Sequence, residues 1–249
     1  MPIKESHPAI NPPKTNISLW RYMDIPSFLS LLIEGSLSFV RSDLFQDRFE
    51  GILPKQTAAI IDNRVKVQST SKYSELLNQQ KNEVYLNCWC NEIHEVVHMW
   101  KIYSKENGVA IETDYEKLKT SILSSDTIYP TLIQYINFAN DAVDWRENAL
   151  TVYSLKRQEY KSENEFRLVL PWPQTIERQL YKIEDQKARD VETTRLYKDT
   201  PVIKCKVNAP TLIKRIHLSP YAPSWYLPLI ADLANKYALN VDSISQSDL

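Results

Sequence analysis

Glu163 and Glu165 stand two residues apart in Ser162-Glu163-Asn164-Glu165, just ahead of an apolar run from Phe166 to Leu170. If the segment is extended, the two side chains share one face, because a strand repeats every two residues. Carboxylates paired in this way can stabilise a positive charge that develops in a transition state. They can also orient or deprotonate an acceptor. A solvated turn carrying ordinary surface acids accounts for the same residues. Arg21, between Trp20 and Tyr22, carries a planar donor fork that can grip a phosphate or a ribose oxygen, and it can equally serve as an ion-pair partner. Trp100 and Tyr103 lie three apart, so on a helix they share a face and could sandwich a flat ring or belong to the core.

A competing constellation is His94-Glu95-Val96-Val97-His98. Two imidazoles at i and i+4 of a helix can chelate zinc, with Glu95 as base for a bound water. This gives an alternative reading as a zinc-dependent hydrolase through His94 and His98. The segment offers no evident third ligand, and its valines read as a helix packed on a sheet.

Composition narrows the field. Thirty basic side chains face thirty-one acids, so no bulk field draws in nucleic acid or an anionic membrane. The longest apolar runs, such as Phe28 to Ile33, are too short to span a bilayer. The first sixteen residues carry four prolines and no apolar stretch of a signal peptide, so they read as an extended arm and the protein as cytoplasmic. Three cysteines fit a reducing compartment. Only three glycines occur, at 35, 51 and 108, which excludes the clustered glycines of a P-loop or a dinucleotide fingerprint.

The elements that must position these groups follow from periodicity. Strands are expected over Ile17–Met23, Ser36–Arg41, Val84–Cys90, Val109–Thr113, Tyr129–Phe138, Glu165–Leu170, Pro201–Val207, Lys214–Ser219 and Leu239–Ser245. The helices are expected from Asp24 to Gly35, over much of 54–83, and over Ile93–Ser104, Asp114–Leu123, Asp144–Arg157 and Ser224–Tyr237. A charged insertion, about 177–199, is either helix or loop. The whole reads as α+β: a single domain over 17–249 with a mostly antiparallel, split sheet flanked by helices.

Four stretches together resemble the domain-of-unknown-function 2971 family. They are LWRYMDI (19–25) with SLSFVRSDLFQDRFEG (36–51), CWCNE (88–92) with MWKIYS (99–104) and GVAIET (108–113), SENEFRLVL (162–170), and IHLSP (216–220) with Trp225. More distantly, the strand around Arg21 and the Glu-x-Glu element resemble DNA- and RNA-modifying members of the ADP-ribosyltransferase superfamily. That resemblance implies an ADP-ribosyltransferase-like fold and NAD as substrate, with no metal. Glu165 would stabilise the ribose oxocarbenium and Glu163 would serve the acceptor. Arg21, Tyr22, Arg41, Phe49, Trp100 and Tyr103 would hold NAD. It further implies a nucleic-acid acceptor, DNA or RNA, in a bacterial toxin or anti-phage setting, with an antitoxin or other protein as partner. A third reading is a non-catalytic module that recognises protein or nucleic acid.

Overall fold

A computed structural model of the protein describes residues 2–64, 73–104, 107–144 and 148–249. The parts of the expected helices over 65–72 and 145–147 lie outside the described residues. In chain order, β1 (Ser18–Met23) runs into α1 (Ile25–Glu34) and β2 (Ser36–Arg41). Next come α2 (Lys55–Arg64), α3 (Tyr73–Gln79) and β3 (Val84–Cys90). A short α4 (Val97–Met99) continues as a π-helical turn over Trp100–Ser104 and leads to β4 (Val109–Asp114) and α5 (Tyr115–Ser121). The second half holds β5 (Tyr129–Leu132), β6 (Gln134–Ile136), β7 (Leu155–Arg157), β8 (Glu165–Pro171), α6 (Gln174–Leu180) and α7 (Gln186–Asp199). It closes with β9 (Val202–Lys206), α8 (Ala209–Leu212), β10 (Arg215–Leu218), α9 (Tyr226–Lys236) and β11 (Ser243–Gln246).

Local chemistry sets the boundaries near the site. The Asp24 carboxylate caps α1 by accepting from the Ser27 amide at 2.9 Å, and Pro26 sits in the first turn, where a missing N–H costs nothing. Gly35 ends the helix in the left-handed region, φ 54°, so the chain turns back at once into β2.

Among the described residues, nine strands make one mixed, mostly antiparallel sheet, with only β10 and β11 parallel in it. The pairing branches at β3. One edge of β3 pairs with β8 along its whole length, Val84–Pro171 to Cys90–Glu165. The other edge is shared: β2 pairs at Leu86 and Tyr85, while β1 pairs at Cys90. The two strands that lean on this edge therefore splay apart beside Asn87 to Trp89. One face of the sheet packs on apolar residues of α1, α5, α6, α7 and α9, including Phe28, Leu118 and Ile230. The opposite face carries smaller clusters around Tyr153 and Trp100.

Three expected elements form differently. His94 to Val96 is not helical, so Ile93–Ser104 is not one amphipathic helix. Val96 is extended, its amide donates to the Tyr22 hydroxyl at 2.9 Å, and the Trp100 indole donates to Glu95 at 3.0 Å. These tertiary bonds, with two adjacent β-branched valines, outweigh the helical pattern. The expected strand Tyr129–Phe138 breaks at Ile133, whose amide donates to the Glu165 carbonyl at 3.0 Å. Its halves join different sheets, β5 beside β8 and β6 parallel to β7. The expected helix over Asp144–Arg157 is, where described, a 3-10 turn over Ala149–Ser154 followed by β7. Leu150 to Ser154 are all buried, and an amphipathic helix would have left one face out.

Candidate functional site

The splay between β1 and β2 opens a cavity of about 630 Å³. Its walls include Arg21 and Tyr22 from β1, Cys88 and Cys90 from β3, Tyr103 from the π turn, and Lys156, Glu163 and Glu165. A second cavity of about 260 Å³ adjoins it beside α1. Arg21, Tyr22, Val40 and Tyr103 line both.

The floor of the larger cavity is a buried ion cluster. Arg167 is fully buried in β8. Its fork holds Glu50 through both nitrogens, NH1 at 2.5 Å and NH2 at 2.8 Å, and its Nε donates to Glu165 at 2.5 Å. Lys156 donates to Glu165 at 2.7 Å and also to Glu163. Burial pushes the Glu165 carboxyl up, but Arg167 and Lys156 outweigh it and hold the group down at about 2. Glu50 shifts the other way, raised by burial despite Arg167. Burial lowers the Lys156 ammonium, yet Glu165 and Glu163 raise it overall, so it stays charged. Burial, then the nearby Glu163 charge, raises the Tyr103 phenol. That hydroxyl remains a donor and lies 3.5 Å from Glu163.

Arg21 is the exception in this charge balance. Among the described residues it makes no ion pair. Its NH1 donates to the Cys88 carbonyl at 2.8 Å, and the guanidinium lies 5.7 Å from the centre of the Trp89 ring. Burial lowers its pKa, with Cys88 and Tyr103 opposing. A half-buried cation without a carboxylate, lining both cavities, is a ready receptor for a ligand anion.

The two glutamates meet in a way that strand periodicity does not give. Glu163 ends a 3-10 turn, Asn164 takes a left-handed conformation at φ 37°, and Glu165 begins β8. Asn tolerates that region, and its side chain donates to the Asn91 carbonyl at 2.5 Å and to Glu92 at 2.9 Å. The bend turns both carboxylates onto Lys156. Both are buried, so the segment is not a solvated acidic turn.

Of the residues singled out from sequence, Arg21, Tyr22, Tyr103, Glu163 and Glu165 line the larger cavity. Three lie elsewhere. Arg41 is engaged with Asp43 at 2.6 Å and with the Tyr197 carbonyl, and it is buried behind β2. Trp100 is fully buried, edge-on to Tyr22. Phe49 packs between Arg48 and Arg157 and against Phe138. His94 is exposed and outside any helix while His98 sits in α4, so the two do not present a shared helical face. Among the described residues no group of three or more His, Cys, Asp or Glu side chains could hold a metal ion. Lys156, Arg167 and Glu50 escaped the sequence reading. A lone arginine inside the apolar run FRLVL was the available signal, since it must find buried acids. Compared with known proteins, the chain matches no family model, no curated protein and no solved structure.

Proposed function

We propose that the chain is an NAD-dependent ADP-ribosyltransferase that modifies a macromolecule, nucleic acid in the first instance, as a toxin or anti-phage effector. What supports this reading is one observation: the unpaired Arg21, Tyr103 and the Glu163–Glu165 pair line a single cavity where β1 and β2 splay apart. A sheet opened in this manner suits the ADP-ribosyltransferase-like fold and the relationship to the 2971 family that the sequence suggests.

In this reading Arg21 takes the diphosphate and Tyr22 and Tyr103 flank the nicotinamide. The bond between nicotinamide nitrogen and ribose C1′ breaks, its electron pair leaving with nicotinamide. The oxocarbenium left on the ribose faces Glu165, which its two cations keep ionised. The acceptor atom forms the new bond to C1′ and passes its proton to Glu163. Arg41, Trp100 and Phe49 have no part in holding NAD.

The test is nicotinamide release from NAD, together with the mass of nucleic acid and protein incubated with the enzyme. Wild type should release nicotinamide and add ADP-ribose to an acceptor. Glu163→Gln should slow transfer by about a hundredfold or more while slow hydrolysis of NAD by water persists. No release and no mass gain on any acceptor, or a fully active Glu163→Gln, would sink the proposal.

A further inference from the structure

The smaller cavity has no part in the chemistry above, yet it is contiguous with the site and unlike it in character. Beyond the residues it shares with the larger cavity, its walls include three serines, Ser27, Ser36 and Ser38, and one acid, Asp24 at the start of α1, over a base of Met23, Leu31 and Leu37. At about 260 Å³ it falls just below the range of about 300–1,000 Å³ that whole small ligands occupy. It can accept one ring with its substituents and not a dinucleotide. The residues it shares with the larger cavity include Arg21, whose guanidinium has no carboxylate partner among the described residues. A ligand that spans both cavities must therefore carry its negative charge in the middle and a hydroxylated ring at this end.

Asp24 decides which ring. Its Oδ1 is taken by the Ser27 amide at 2.9 Å, and the residue is exposed and lines the cavity. A carboxylate accepts hydrogen bonds from a vicinal diol and repels a phosphate, which is how dinucleotide sites choose between a free and a phosphorylated 2′-hydroxyl. We infer that the small cavity beside α1 seats the second ribose of a nucleoside-diphosphate ligand, and that Asp24 selects the unphosphorylated 2′-hydroxyl. This rests on the NAD reading of the larger cavity, and it places the adenosine half, which the chemistry itself leaves free.

Titration calorimetry on the full chain tests it with three probes: nicotinamide mononucleotide, ADP-ribose and ADP-ribose 2′-phosphate. Wild type should bind ADP-ribose about tenfold or more tighter than its 2′-phosphate. Asp24→Asn removes the charge but keeps an equally good helix cap, so the melting temperature should hold while the preference falls below about threefold. Ser38→Leu, which fills the cavity, should weaken ADP-ribose and leave the mononucleotide unchanged. An undiminished preference in Asp24→Asn, or equal effects of Ser38→Leu on both probes, overturns the inference. A wild type that binds the mononucleotide and gains nothing from the adenosine half overturns it while leaving the transferase reading in place. A wild type that binds none of the three removes both.

Discussion

In the proposed reaction Glu165 sits where catalysis and stability demand the same carboxylate. Strand periodicity made it a free acid on a sheet face, and on that reading Glu165→Gln spares the fold. The ion cluster changes that expectation. Neutralising Glu165 leaves Arg167 and Lys156 short of a counter-charge in a buried site, and breaking such a pair costs about 3–5 kcal/mol. Chemical denaturation should show that loss in Glu165→Gln and a much smaller one in Glu163→Gln, which has one cation partner and lies at the cavity wall. No loss in Glu165→Gln would mean that the cluster does not bear on the fold. The pH dependence has a definite sign. The Glu165 carboxyl is depressed from its ordinary 4.5 to about 2, a difference worth about 3 kcal/mol. That contribution is present above pH 4.5 and is lost as pH falls through about 2. Glu50, raised by burial, opposes the trend. Unfolding free energy should fall less steeply between pH 4.5 and 2 in Glu165→Gln than in wild type. Sequence exposed Arg21 by its aromatic neighbours and the glutamates by their spacing ahead of an apolar run. It hid Lys156, because the expected helix over 144–157 is a strand end there.

Strands and helices with strong local signals, such as α1 with its Asp24 cap and Gly35 stop, are read correctly from the chain. Two of the failures share a cause, which is that distant partners claim backbone groups. The Tyr22 hydroxyl takes the Val96 amide and the Glu165 carbonyl takes the Ile133 amide, so both segments bend where their periodicity runs on. The π turn that carries Tyr103 has its own tight constraint. A Cβ on Gly108 would stand 2.1 Å from the Ser104 Cβ and 2.4 Å from the Ser104 carbonyl oxygen. Backbone cannot yield cheaply there, so Gly108→Ala should destabilise by about 1–3 kcal/mol and displace Tyr103. Thermal unfolding and the near-ultraviolet dichroism of the aromatic cluster would register both. An unchanged melting point would show that the turn relaxes freely.

On one edge of β3 the sheet divides into two wings, one ending in β11 and the other in β9, while β8 and β5 extend it from the other edge. A ligand lodged between them binds only when both are in place. NAD at a hundred times its dissociation constant should stabilise the folded state by about 2.7 kcal/mol, a rise of about 5–10 °C for a chain of this size. Absence of any shift at saturating NAD, with acceptor present, counts against the site. The branching at β3 was out of reach of the sequence. Strand positions are local, but which edge a strand joins is decided by the packing of the whole chain.

Along the shared edge of β3, Leu86 meets β2 and Cys90 meets β1, while the Cys88 carbonyl between them is met by the Arg21 side chain. A guanidinium thus stands where a strand's amide would be, and works as a clasp that ties β1 to β3 beyond their last paired residues. Arginine has five N–H groups, so one can stay on Cys88 while others take a ligand anion. The clasp and the ligand contact are then the same object. Occupancy should tighten the sheet itself: amide hydrogen exchange along β3 is expected to slow when ADP-ribose saturates the wild type, and to quicken in Arg21→Ala whether or not ligand is present.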